Sequence, residues 1–255
     1  MVSKNHINIK SGLFKSKAQT LNFLENKLTK AVVPKLFIIK CSNLFNETKF
    51  EIIKLVYNNF KNKPIIVRSS SEQEDKIENS GAGEFISIKL DFSWNKEQLE
   101  NAIFKIINCY KDKLGKENVY KQEILIQELV EDVVFSGVIF TRELNFGAPY
   151  VVVNYDDITG STSSVTSGVG EHANKNLFIH RSHIKALRSE RFIKLMQVVK
   201  ELELICKNSE LDIEFAVDKQ TTVFILQVRP ITTKISWPSD LDTRISNELA
   251  GIHYI

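Results

Sequence analysis

Between Leu211 and Val228 the chain alternates. Leu211, Ile213 and Phe215 are interleaved with Asp212, Glu214 and Ala216, and beyond a polar stretch at Asp218-Lys219-Gln220 the residues Gln227 and Arg229 share one parity. A period of two marks a strand with one buried face. Two such runs around turn residues predict a hairpin, with strands at 211–217 and 222–228. Closed near Asp218 to Thr221, it sets Asp212 opposite Gln227, with Glu214 one diagonal step away. One face then carries Asp212, Glu214, Gln227 and Arg229. Two carboxylates and an amide oxygen are hard ligands of the kind magnesium takes from proteins, and an arginine beside them suits a phosphate. A hairpin with one solvated polar face satisfies the same alternation, and a one-residue slip in register would scatter the group.

The rest of the chain mixes helical and strand patterns. Helices are expected at 15–28, 50–60, 99–114 and 189–208, and strands at 32–39, 65–67, 85–90, 124–127, 135–141 and 150–154. Loops rich in Ser, Gly and acidic residues are expected at 69–83 and 156–171, and the tail from 232 reads as an exit segment with a short helical piece after Pro238. This order implies an α+β (mixed α/β) architecture.

With 43% hydrophobic residues in 255, the chain can bury a substantial core. A net charge of +3, from 34 basic and 31 acidic residues, gives no argument for a nucleic-acid partner. No stretch approaches the about 20 apolar residues that cross a bilayer, so no membrane partner and a cytoplasmic location are expected. Cys41, Cys109 and Cys206 are widely spaced and form no CxxC pair, so they read as reduced thiols.

Two more segments can meet a nucleotide. Arg68 leaves an apolar run and is followed by Ser69-Ser70-Ser71 and then Gly81-Ala82-Gly83; glycines let backbone N–H groups approach a phosphate and the arginine supplies charge. Ile126-Gln127-Glu128-Leu129-Val130 ends a strand and can offer backbone groups to an adenine edge. An ordinary surface loop and an edge strand turning into a loop are the plainer accounts of these two patterns taken alone.

Taken in order, these pieces resemble one family. Val67-Arg68-Ser69-Ser70-Ser71, Glu74-Asp75 and Ser80-Gly81-Ala82-Gly83 resemble the VRSSA…ED…SxAGQ signature of phosphoenolpyruvate synthase and pyruvate phosphate dikinase. Ile126-Gln127-Glu128-Leu129-Val130 with Ser136-Gly137-Val138-Ile139-Phe140-Thr141 resembles their VQxMV…SGVxFT segment, and Asp212-Ile213-Glu214-Phe215 with Leu226-Gln227-Val228-Arg229-Pro230 resembles DIEW…LQxRP. Lys17 takes the place of their GGKG lysine, without its glycines, and Glu84 stands where the family has Gln. The resemblance implies an ATP-grasp fold whose two lobes, roughly 1–120 and 121–233, clamp Mg-ATP, with 234–255 leading toward downstream histidine and acceptor domains. It implies that Lys17 and Arg68 hold phosphates, that Gly81, Gly83 and Ser87 line the phosphate loop, and that Gln127, Glu128 and Leu129 meet adenine. Glu214 and Gln227 would bind magnesium with Asp212 close by, and Arg229 and Arg68 would act on the transferring phosphate.

The usual GLGE stretch is replaced by Val153-Asn154-Tyr155-Asp156-Asp157, Gly160 and Ser164-Val165-Thr166-Ser167-Gly168. This variant resembles the L-glutamine kinase branch, which phosphorylates the glutamine amide nitrogen on the way to capsule phosphoramidate. Pyruvate or an antibiotic hydroxyl as acceptor, as in phosphoenolpyruvate synthase or rifampicin phosphotransferase, and a non-catalytic nucleotide-binding module are the alternatives. None of the five histidines sits in a TSHAA-like context; His172 comes nearest. The phosphohistidine is therefore expected on a domain beyond Ile255.

Overall fold

The computed structural model describes residues 14–73, 85–158, 175–232 and 238–250. Two antiparallel sheets carry the fold. The first has the order β1-β4-β2-β3, from β1 (Leu36–Lys40), β2 (Ile65–Ser70), β3 (Ser87–Leu90) and β4 (Glu123–Glu128). The second has the order β7-β6-β5-β8-β9, from β5 (Val133–Phe140), β6 (Tyr150–Asp156), β7 (Lys175–His180), β8 (Leu211–Asp218) and β9 (Val223–Pro230). The chain passes from one sheet to the other across residues 129–132. The expected α+β class is what this arrangement shows.

Each sheet buries one face. Ile65 and Val67 of β2 and Ile124 and Ile126 of β4 pack against α2 (Lys49–Phe60) and α3 (Lys96–Leu114) through Ile53, Val56, Phe60, Leu99, Ile103 and Ile106. In the second sheet Leu211, Ile213, Phe215 and Val217 pack with Val151, Val153 and Ile179 against α4 (Glu190–Cys206), through Phe192, Leu195, Val199 and Leu202. Full burial of each such leucine or phenylalanine contributes about 1.5–3 kcal/mol. The period of two then leaves the even-numbered residues of β8 on the opposite face.

The first helix, α1 (Lys17–Glu25), belongs to both sheets. Its buried Ala18, Leu21 and Leu24 share a core with Leu125 of β4 and with Ile225 and Val228 of β9, and the helix packs on both strands. A last helix, α5 (Ser239–Ala250), follows Pro238. Among the described residues no helix is long and apolar enough to cross a membrane.

Several boundaries differ from the sequence reading. The run 32–39 is split: Pro34 interrupts it, β1 begins only at Leu36, and Val32 instead forms an isolated parallel bridge with Phe224. Helix α3 begins three residues before Leu99, because Asn95 and Gln98 form a reciprocal capping box over a polar first turn that carries no apolar periodicity. Strand β7 pairs with β6 at the sheet edge and follows no apolar run that would have announced it. The 69–83 loop begins two residues late, since β2 continues through Ser70.

Gly137 lies mid-strand in β5, between β6 and β8. A Cβ there would collide with the backbone carbonyl of Asn154 and approach Tyr155 Cα to 2.9 Å. Gly137→Ala should therefore lower stability by about 1–3 kcal/mol or more, read from the denaturation midpoint, since backbone in a paired strand has no room to yield. Cys41 and Cys206 are buried and Cys109 is half-buried. Burial, then the nearby Glu123 carboxylate, pushes the Cys41 thiol up to about 12, and burial pushes Cys206 up to about 11. Both stay protonated and unreactive at pH 8. A thiol reagent should label Cys109 alone in the native protein and all three cysteines after unfolding.

Candidate functional site

The face of the second sheet turned away from α4 meets the face of the first sheet that carries Arg68. On β8 and β9 the pairs are Glu214 with Gln227 and Asp212 with Arg229. This corrects the sequence expectation that Asp212 would stand opposite Gln227. The register shifts by one between Glu214 and Phe215, so that Phe215 pairs with Ile225 and Leu226 is the extra residue. A bulge of this kind bends the strand and offsets every pair beyond it. All four side chains still share one face.

Their contacts are specific. Arg229 Nε donates to Asp212 Oδ2 at 2.7 Å. Arg68, on β2 of the other sheet, reaches across: its Nη1 donates to the Leu226 carbonyl at 3.3 Å and its Nη2 lies 3.5 Å from Glu214 Oε2. The Arg68 and Glu214 side chains are 13% and 19% exposed, so this bridge between the sheets is well shielded. Arg68 Nε is buried and has no hydrogen-bond partner among the described residues.

Lys17, the first residue of α1, lines a narrow cleft of about 10 Å³ with Ser71, Gln227 and Arg229. A second, larger groove of about 280 Å³ runs along residues 128–132 where the chain changes sheets, and includes Val32, Pro34, Asp218 and Phe224. Phe224 and Arg229 stand five residues, about 17 Å, apart on one strand.

Gln127 is 1% exposed and stands opposite Ile66 and Leu36; its Nε2 has no partner among the described residues. Glu128 turns its carboxylate to Lys63 at 3.2 Å, so its side chain faces away from the cleft. The N–H groups of Glu128 and Leu129 donate to the carbonyls of Lys35 and Pro64, both at 2.9 Å, so neither is spare for a ligand. Ser87 is exposed and paired opposite Arg68. Gly81 and Gly83 lie outside the described residues, as do Gly160, Ser164 to Gly168 and His172.

The structure thus brings Lys17, Arg68, Asp212, Glu214, Gln227 and Arg229 together, with Gln127 on the inner face of the first sheet. Orphaned buried donors on Arg68 and Gln127 fit a ligand rich in acceptors. The Glu214 carboxylate and the Gln227 amide, paired across two strands, offer two hard oxygens to a magnesium ion. No cluster of three or more His, Cys, Asp or Glu among the described residues is placed to hold a metal by itself. Two protein oxygens suit magnesium, which commonly completes its shell with phosphates and water. Ser16, Ser70, Tyr110 and Glu123 seat α1 against the first sheet; of these, sequence reasoning singled out only Ser70, and not for this role. A single carboxylate at the start of an apolar strand carries no pattern that would single it out.

No family model matches the chain, and no curated protein matches it. Solved structures do. A D-alanine–D-alanine ligase from Helicobacter pylori is 12% identical over 94% of this chain and 59% of its own, with a TM-score of 0.49. An L-amino acid ligase from Bacillus licheniformis is 13% identical over 85% of this chain and 42% of its own, with a TM-score of 0.49. A D-alanine–D-alanine ligase from Bacillus anthracis, complexed with ATP, is 12% identical over 96% of this chain and 64% of its own, with a TM-score of 0.48. The chain spans less than two thirds of the length of each. Likenesses this distant assign this chain no ligand and no reaction.

Arg68→Ala would leave the Glu214 carboxylate facing the other sheet without its cationic partner. It should cost about 1–3 kcal/mol of stability by chemical denaturation. Glu214→Ala should cost a similar amount, and the double variant should cost less than the sum of the two, since both remove one contact.

Proposed function

We propose that this chain binds Mg-ATP between its two sheets, in an ATP-grasp arrangement, as the nucleotide-binding part of a phosphotransferase. The observation that carries the reading is the convergence of Lys17, Gln227 and Arg229 on one cleft, beside the Arg68–Glu214 bridge. Lys17 and Arg229 line the cleft from two separate elements, Arg68 stands beside it in its bridge to Glu214, and Asp212 is bonded to Arg229. A triphosphate with its metal is a ligand that satisfies both signs at once.

In this reading Lys17, Arg68 and Arg229 hold the phosphates, with Ser87 and the glycines Gly81 and Gly83 of the preceding loop in the roles that the family resemblance implies. Glu214 and Gln227 hold magnesium; when bound, the ion neutralises charge on the phosphate oxygens. Asp212 orients Arg229 through the 2.7 Å contact rather than holding the metal itself. The base is directed toward Gln127 and the chain crossing at Glu128 and Leu129, where the large groove lies. Phosphoryl transfer asks a protein for positioning and charge compensation more than for covalent chemistry. The Arg229 side chain, 45% exposed, is the one best placed to meet a phosphoryl group passing to an acceptor outside this chain.

The finer reading follows the resemblance: the phosphoryl group goes to a histidine on a downstream domain and from there to the amide nitrogen of L-glutamine. It is supported by the Val153-Asn154-Tyr155-Asp156-Asp157 variant on β6. Asn154 shares a row across the sheet with Val138, Glu214 and Gln227. The full protein should consume ATP with L-glutamine; consumption with pyruvate and not glutamine overturns this part.

Calorimetric titration of the chain with ATP, with and without magnesium, tests the site. Saturable binding at least about tenfold tighter with magnesium, a gain of about 1.4 kcal/mol, is expected. Glu214→Ala should erase that increment while the circular dichroism spectrum stays unchanged. Binding indifferent to magnesium would overturn the metal assignment, and no binding in either condition would overturn the nucleotide reading.

A further inference from the structure

We infer that Glu123 is a positioning residue for Lys17: it clamps the first turn of α1 to the first sheet and so holds the lysine at the cleft. The inference rests on the nucleotide reading above, because it assigns Lys17 to the ligand.

Both carboxylate oxygens of Glu123 are taken by α1. Ser16 Oγ donates to Oε2 at 2.6 Å and Gln19 Nε2 donates to Oε1 at 2.7 Å. Glu123 is 7% exposed and Ser16 2%, so these bonds form away from water. Ser16 is also the N-cap of the helix, accepting from the Gln19 N–H at 3.2 Å. On the other side of Lys17, the Ala18 N–H donates to Ser70 Oγ at 2.9 Å. Ser70 stands directly opposite Glu123 in the β2–β4 register. Tyr110 closes the loop: its hydroxyl accepts from the Ser70 N–H and donates to the Glu123 carbonyl at 2.6 Å.

Lys17 therefore sits between two residues bonded to the sheet, one through Glu123 and one through Ser70. Its backbone is held from both sides, while its half-buried side chain shares the cleft with Gln227 and Arg229. The carboxylate accepts from both donors through its two oxygens in charge-assisted bonds, whereas an amide there would make only neutral ones, accepting from Gln19 and donating to the Ser16 hydroxyl. The first turn has no glycine, so the lysine is presented by a capped and anchored helix start rather than by a pliable loop. The serine after Arg68 and Ser69 also acquires a role here: Ser70 holds the helix and leaves phosphate contact to its neighbours.

The test is a double-mutant cycle on the full chain, with Mg-ATP affinity read by calorimetry for the wild type, Glu123→Gln, Lys17→Ala and the double variant. Glu123→Gln is expected to weaken binding about tenfold and Lys17→Ala by at least as much, with the double variant no weaker than Lys17→Ala alone. A loss from Glu123→Gln that persists undiminished in the Lys17→Ala background overturns the inference, since Glu123 would then act on the fold and not through the lysine. Hydrogen exchange at the Ala18 amide supplies a readout free of nucleotide. It should speed by at least about tenfold in Glu123→Gln, and in Gln19→Ala, which removes one bond and leaves the buried carboxylate in place. Unchanged exchange in both variants also overturns the inference. A wild type that binds no Mg-ATP while Ala18 exchange responds as expected would refute the nucleotide reading and leave Glu123 as the anchor of α1 only.

Discussion

The five-stranded sheet buries one face against α4, and that burial forces every polar residue of β8 onto the other. Leu211, Ile213, Phe215 and Val217 are all nearly inaccessible. With a period of two, Asp212 and Glu214 can point only toward the first sheet. The hairpin then adds Gln227 and Arg229 beside them. The grouping of the site residues follows from the hydrophobic requirement of the opposite face, not from attraction among the charges. Charges of opposite sign brought together in this way offset one another, which makes the arrangement tolerable in the absence of ligand.

The same logic explains why the site spans two sheets. A hairpin supplies carboxylates, an amide and one arginine, but the other cations come from elements far away in sequence. Arg68 is carried by β2, whose own alternation buries Ile65 and Val67 and leaves Arg68 on the inner face. Lys17 is carried by a helix wedged between the sheets. Its apolar residues pack in the core of the second sheet, which Leu125 of the first sheet joins, and its first turn is bonded to the first sheet. A ligand held by Lys17, Arg68 and Arg229 at once would join the two halves of the molecule, so binding and the relative placement of the sheets are physically coupled.

The hairpin shows how much of this was legible beforehand. The strands, the turn near Asp218 and the shared face of Asp212, Glu214, Gln227 and Arg229 were all readable, because alternation depends only on local order. The pairing was not. Leu226 bulges, and a bulge is a compromise between strand twist and packing that leaves no mark in a run of apolar residues. Glu128 was readable as a strand-end residue, yet its carboxylate is drawn to Lys63 and its N–H to Lys35, partners chosen by the neighbouring strand and linker. Helix α3 started early because a capping box is made by polar residues, to which hydrophobic periodicity is blind.

By itself the order of residues determined most of the strands and helices, which face of each is apolar, and which chemistry-bearing side chains travel together on one element. Those are consequences of the 3.6 and 2.0 periods and of turn-forming residues, and they act over a few positions. The tertiary structure decided which elements face each other. It set Arg68 against Glu214 across 146 residues and Ser16 against Glu123 across 107. Contacts of that kind exist only after two cores have formed and fixed the sheets relative to one another, because no local pattern encodes the partner of a buried polar group.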